Sequence, residues 1–116
     1  MPDETTDALD LSIVEDLKEF MGNDYQSLIR IYLEDSPKLL QQIQSALVIQ
    51  DPVSLVNPAH TLKSSSANLG AVGLSKIAAQ FEKSAREGKM DVPNLEAKNL
   101  LTEFNRVKDA LKELLD

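Results

Sequence analysis

The stretch AKNLLTEFNRVKDALKEL, residues 97–114, carries the pattern on which the fold turns. Its apolar residues Ala97, Leu100, Phe104, Val107, Leu111 and Leu114 are spaced 3, 4, 3, 4 and 3 apart. That rhythm is the seam of a helix packed lengthwise against other helices. No segment of the chain sustains the apolar/polar alternation of a strand, and the four glycines, at 22, 70, 73 and 88, sit mostly where helices would end. The expected fold class is all-α: an antiparallel four-helix bundle with an additional short N-terminal helix.

Working backwards from that seam, the last helix is expected to begin at Pro93-Asn94. The helix before it places Leu74, Ile77, Ala78, Phe81 and Ala85 on one side and stops at Gly88. A third runs from Asp51, as cap, and Pro52, at its first position, to Asn68-Leu69-Gly70. A second begins near Asn23 with Tyr25, Leu28, Ile29, Tyr32, Leu39, Leu40, Ile43 and Leu47. Pro37 interrupts it, which allows one kinked helix or two abutting ones. Asp10 is an N-cap for a short first helix with Leu11, Val14, Leu17 and Phe20 on one face, ending near Gly22. Residues 1–9 are expected to be a flexible tail, and 10–116 one domain.

Composition removes whole classes of function. There is no cysteine and only one histidine among 116 residues, so thiol chemistry, zinc clusters and multi-histidine metal sites are excluded. No apolar run approaches the roughly 18 residues needed to cross a bilayer, and the acidic N-terminus is unlike a signal peptide, which points to the cytoplasm. A net charge of −7 argues against nucleic acid. Its distribution is uneven: residues 1–51 hold 11 acidic and 3 basic side chains. Residues 60–90 hold Lys63, Lys76, Lys83, Arg86 and Lys89 against Glu82 and Glu87, a net of +3. A basic face of this kind suits an acidic or phosphorylated partner.

That face carries the sole histidine, within His60-Thr61-Leu62-Lys63-Ser64-Ser65-Ser66-Ala67-Asn68-Leu69-Gly70. On a helical wheel at about 100° per residue, Leu55, Ala59, Leu62, Ser66 and Leu69 form the core stripe and His60 points away from it. Its helical neighbours are Lys63, Ser64 and Ala67 on one side and Val56 and Val53 on the other. An imidazole titrates near neutrality and offers a nucleophilic nitrogen, while Lys63 can set an ammonium beside an added phosphoryl group. The small side chains at 64–67 leave room for another protein to approach. There is no glycine-rich phosphate loop and no carboxylate cluster for magnesium, so donor and acceptor would both come from partners.

Residues 60–70 resemble the signature of the histidine phosphotransfer (HPt) domain family, which runs approximately H-x-L-K-G-S-S-A-x-L-G. His60, Leu62, Lys63, Ser65, Ser66, Ala67, Leu69 and Gly70 match it. The short first helix, the proline-interrupted second, and Glu82 followed by Ala85-Arg86 also look like the family, from about residue 10 onward. Ser64 stands where the family usually has glycine, and is expected to weaken rather than abolish access by a partner. Pro58 either kinks the third helix or marks a late start capped by Asn57, and Leu55 favours the early start because it continues the stripe.

The resemblance implies a freestanding, monomeric bacterial phosphorelay intermediate without kinase activity of its own. His60 would accept a phosphoryl group from a receiver-domain aspartate of a hybrid sensor kinase and pass it to the aspartate of a response regulator. Lys63 would balance the phosphoryl charge. The chain would need no cofactor, the receiver bringing the magnesium. Its partner-binding surface is expected to comprise Val53, Val56, Ser64 and Ala67, with Lys76, Gln80 and Lys83 from the next helix. The rival reading is a helical adaptor that binds a receiver or regulatory protein without carrying phosphate. An autonomous kinase or phosphatase is disfavoured by the missing nucleotide and metal ligands.

Overall fold

The computed structural model describes residues 8–115, and every structural statement below refers to these. Five helices follow one another: α1 (Leu11–Met21), α2 (Asp24–Ile49), α3 (Pro52–Asn68), α4 (Val72–Arg86) and α5 (Asp91–Glu113). The last four close into a ring in which α2 packs on α3, α3 on α4, α4 on α5 and α5 back on α2. Short connections between successive members make them antiparallel. The short α1 lies against α2, outside the ring. This is the all-α bundle with a short N-terminal helix expected from the periodicity.

Local chemistry starts and stops these helices where the sequence indicated. The Asp10 carboxylate accepts from the Ser12 and Ile13 N–H groups, and Asp51 accepts from the Val53 N–H at 3.1 Å with Pro52 behind it. Each cap satisfies backbone donors that a helix start leaves without partners. Gly70 ends α3 in the left-handed region (φ +85°), where the Ala71 N–H reaches back to the Ser66 carbonyl at 2.9 Å. Its own carbonyl accepts from the Asp10 N–H at 2.8 Å, which ties α1 to the α3–α4 turn.

The core stripe of α3 is as expected, with Leu55, Ala59, Leu62, Ser66 and Leu69 all buried. Ser66 is kept inside by a 2.9 Å hydrogen bond to the Tyr32 hydroxyl, so the third of the consecutive serines is a helix-to-helix tie. In the seam of α5, Leu100, Phe104, Val107 and Leu111 are buried, with Ala97 and Leu114 half-buried at its ends.

The structure decides two open alternatives and departs from several expected boundaries and faces. Pro37 does not divide α2, which runs unbroken for 26 residues with Pro37 on its exposed side. Pro58 likewise lies inside a continuous α3, so the late start at Asn57 is not adopted. Helix α5 begins at Asp91, two residues before the expected start, because a proline in the first turn forfeits no intrahelical bond. Phe20 is 90% exposed and Leu11 is exposed as well. Steps of three rotate a helix by about 300°, so Phe20 lies roughly 120° from the buried Val14. Helix α1 has only one packed side, and both ends of the expected stripe turn out of it. Of the expected N-terminal tail, residues 1–7 lie outside the described residues. Ala8 and Leu9 are buried core members instead.

Gly70 combines two demands. A Cβ there would come within 3.2 Å of the Asp10 carbonyl and 3.3 Å of Ile13, on a backbone that disfavours any side chain. Gly88 shares the positive φ but has open space around it. Gly70→Ala is expected to destabilise by about 2–3 kcal/mol and Gly88→Ala by about 1 kcal/mol, checked by urea unfolding.

Candidate functional site

Burying one stripe of α3 leaves its opposite face outward, and α4 supplies the wall beside it. The Ser75 hydroxyl of α4 donates to the Lys63 carbonyl of α3 at 2.8 Å, which holds the two helices together beside the histidine. The small buried residues Ala59, Ala78 and Ala85 keep the facing backbones close. Into this seam α4 directs the carboxylate of Glu82, whose side chain is only 8% exposed.

Glu82 gathers three basic side chains. Its Oε1 receives the Lys63 ammonium at 2.6 Å. Its Oε2 receives His60 Nδ1 at 2.9 Å, Arg86 Nη2 at 2.7 Å and Arg86 Nε at 3.0 Å. The Lys63 ammonium above all, then Arg86 and His60, hold the Glu82 carboxyl at about 2, well below the usual carboxylate range, against the opposing pull of burial. Glu82 is therefore ionised at neutral pH and can only accept hydrogen bonds. The proton in the His60 contact is thereby assigned to Nδ1, so that in the neutral ring the lone pair lies on Nε2, and the side chain is 52% exposed. One nitrogen of the imidazole is anchored and the other carries the lone pair.

The expected partner-binding residues are distributed unevenly around that ring. Val53 is 80% exposed, and Ser64 and Ala67 are exposed on the same face of α3. Val56 is half-buried and packs against the core, because α3 rests on its neighbours more closely there than the wheel implies. Ser64 makes no hydrogen bond to the imidazole. Lys76, Gln80 and Lys83 are exposed on α4. Lys83 lines a shallow depression with Lys63, Ala79, Glu82 and Arg86. Gln80 lines a groove toward α5 with Val92 and Leu95, and neither it nor Lys76 bonds to the histidine cluster.

Glu82 is the residue that charge counting undervalued. It entered the sequence reading as one acidic side chain set against a basic face and as part of the family likeness, yet in the fold it is a buried anion that pairs with two of that face's cations at once. The signal was there: a carboxylate sitting beside Ala78, Phe81 and Ala85 on a core-facing helix, with an arginine one turn on. Among the described residues no group of three or more His, Asp or Glu is placed to hold a metal ion. No helix among them is long and apolar enough to cross a membrane.

With this geometry in place, comparison with known proteins assigns the family. The model of the Hpt domain family matches residues 27–116. Among solved structures the chain is similar to histidine-containing phosphotransfer protein B (HptB) from Pseudomonas aeruginosa PAO1. That match has 32% identity and a TM-score of 0.84, over 91% of this chain and 92% of that one. It shares its fold with the HPT domain from the Hpt sensor hybrid histidine kinase from Shewanella. There the identity is 22% and the TM-score 0.78, over 97% of this chain and 95% of that one. Comparison with curated protein sequences finds no match. This chain belongs to the Hpt domain family, whose members are phosphocarriers rather than kinases and work with receiver domains in two-component signalling. Histidine phosphotransfer is its class of function.

Two outcomes test the role of Glu82. In wild type, imidazole ¹⁵N shifts are expected to report predominantly the Nδ1–H tautomer, whereas Glu82→Gln admits a substantial Nε2–H population. The second concerns acid. A carboxyl held at about 2 instead of 4.5 contributes stability that is fully present above about pH 4.5 and is lost as pH falls toward 2. Stability measured by urea unfolding is therefore expected to fall over that interval more steeply in wild type than in Glu82→Gln.

Proposed function

We propose that the chain is a phosphorelay intermediate. His60 accepts a phosphoryl group from a phosphoaspartate in the receiver domain of a hybrid sensor kinase and delivers it to the receiver aspartate of a response regulator. The observation that carries this reading is the half-exposed His60 ring anchored through Nδ1 to the buried Glu82 carboxylate. In the forward step the Nε2 lone pair attacks phosphorus, the Nε2–P bond forms, the aspartyl O–P bond breaks, and the aspartate leaves as carboxylate. The ring becomes cationic without gaining a proton, because Nδ1–H is already in place, and the adjacent Glu82 carboxylate stabilises that charge. The reverse step returns the same atoms, so no proton needs to be relayed in either direction.

The receiver supplies the magnesium and the acidic pocket, and the chain acts as a cytoplasmic monomer without autonomous kinase activity. Val53, Ser64, Ala67 and Lys83 form the contact surface around the ring, with Val56 at its edge and Lys76 and Gln80 farther along α4. Glu82 offsets one of the two charges of Lys63 and Arg86, so long-range steering toward an acidic receiver draws on the remaining positive charge of that cluster together with Lys76, Lys83 and Lys89.

The test is transfer from a panel of radiolabelled phospho-receiver domains to wild type and to His60→Gln. Wild type is expected to take up label in an acid-labile, base-stable form, His60→Gln none, and ATP alone is expected to label neither. Raising the salt is expected to slow transfer severalfold, since steering is screened over about 8–10 Å. If no receiver transfers label while His60→Gln still binds receivers normally, the chain is an adaptor instead. A salt-independent rate removes the steering argument alone.

A further inference from the structure

We infer that Glu82 is a post at which Lys63 is the exchangeable cation and Arg86 the resident one, making Arg86 a positioning residue that frees Lys63 for the phosphoryl group on His60. This rests on the reading of His60 as the phosphoryl carrier. The two cations share a carboxylate but are held differently. Arg86 comes from Glu82's own helix, one turn on, and places two N–H groups on Oε2. Lys63 crosses from α3 and meets Oε1 through a single ammonium at 2.6 Å. Its stem is long and flexible, whereas the guanidinium is planar and directional.

Position completes the distinction. Lys63 follows His60 by three residues on α3, so both ring and ammonium stand on one helix face, within reach of each other. The Lys63 backbone is fixed by the Ser75 hydroxyl on its carbonyl, which leaves the side chain as the part that moves. A phosphoryl group on Nε2 brings up to two negative charges to the outer side of the ring. The ammonium of Lys63, whose side chain is 34% exposed, then lies between two anions, one in the seam and one outside it.

Leaving a carboxylate that is 8% exposed would strand a buried charge if Lys63 were its only cation. It is not, because Arg86 and the His60 Nδ1–H remain on Oε2. On phosphorylation the ring itself becomes cationic, which offsets the ammonium that departs. Arg86 thus sets whether Lys63 is free to serve the phosphoryl group, without touching that group itself.

The test uses phosphoramidate, a small-molecule donor that dispenses with a receiver. Its P–N bond breaks, ammonia leaves, and the Nε2–P bond forms while Nδ1–H stays. The Lys63 ¹³Cε–¹Hε resonances and the Arg86 ¹⁵Nε–H resonance are followed before and after phosphorylation. In wild type the Lys63 signals are expected to shift while the Arg86 Nε–H stays in place. In Arg86→Gln, a replacement at a side chain 58% exposed, the Lys63 signals are expected to stay where they were. Arg86→Lys, which keeps a cation, is expected to restore part of the shift. The inference is overturned if Arg86 moves while Lys63 does not, or if Lys63 shifts equally in Arg86→Gln. Labelling of His60 by phosphoramidate but by no receiver overturns the relay reading and still decides this one. A His60 that takes no phosphoryl group even from phosphoramidate overturns both.

Discussion

A carboxylate kept charged in the seam between two helices is the constraint around which the rest of this molecule is arranged. Removing a carboxylate from water is unfavourable by several kcal/mol unless cations and hydrogen bonds replace the lost solvation. Glu82 meets that requirement with Lys63, Arg86 and the His60 ring, drawn from two helices. Those contacts exist only if α3 and α4 lie side by side in one register, with His60 and Lys63 turned toward Glu82. The buried alanines and the Ser75–Lys63 bond hold that register, and the Tyr32–Ser66 bond fixes α3 against α2.

Helix α3 is a poor helix by local preference and a well-defined one in context. It contains two prolines and three consecutive serines, none of which favours a helix interior. Its order comes from burial of the Leu55–Leu69 stripe against α2 and α4, tertiary packing overriding propensity. The same composition has a use on the outer face. Ser64 and Ala67 are small and exposed, so α3 raises little side-chain bulk at those positions beside the imidazole.

What the sequence made legible and what it concealed divide along a physical line. Features set by one helix's own periodicity or by a local cap were readable: the α5 seam, the α3 stripe, the Asp10 and Asp51 caps, the outward His60. Features that depend on how two helices meet were not. Val56 looked exposed on a wheel drawn for an isolated helix and is half-buried once α3 is packed. Phe20 looked buried because spacing by threes resembles a stripe, and the precession of that spacing carries it into solvent. The sequence left open whether Pro37 divides its helix and favoured continuity at Pro58; both lie inside continuous helices, packing along the whole of α2 and α3 outweighing one missing hydrogen bond at each. Glu82 is the clearest instance: its charge was countable, its burial was not.

That burial bears on how a carrier gives up what it accepts. A site that clamped a phosphoryl group with a metal and several donors would hold it too firmly to pass on. Here the His60 side chain is half-exposed, and the Glu82 carboxylate meets one ring nitrogen, Nδ1, from the helix seam. If His60 is the carrier as proposed, the Glu82 carboxylate favours the Nδ1–H tautomer before phosphorylation and stabilises the cationic ring after it. On the proposed reading that stabilisation favours uptake of the phosphoryl group and to the same extent opposes its release, so the onward step depends on what the docking partner supplies. Placing the anion behind the ring, and leaving the phosphoryl side open to whichever partner docks, suits a chain whose chemistry is completed by others.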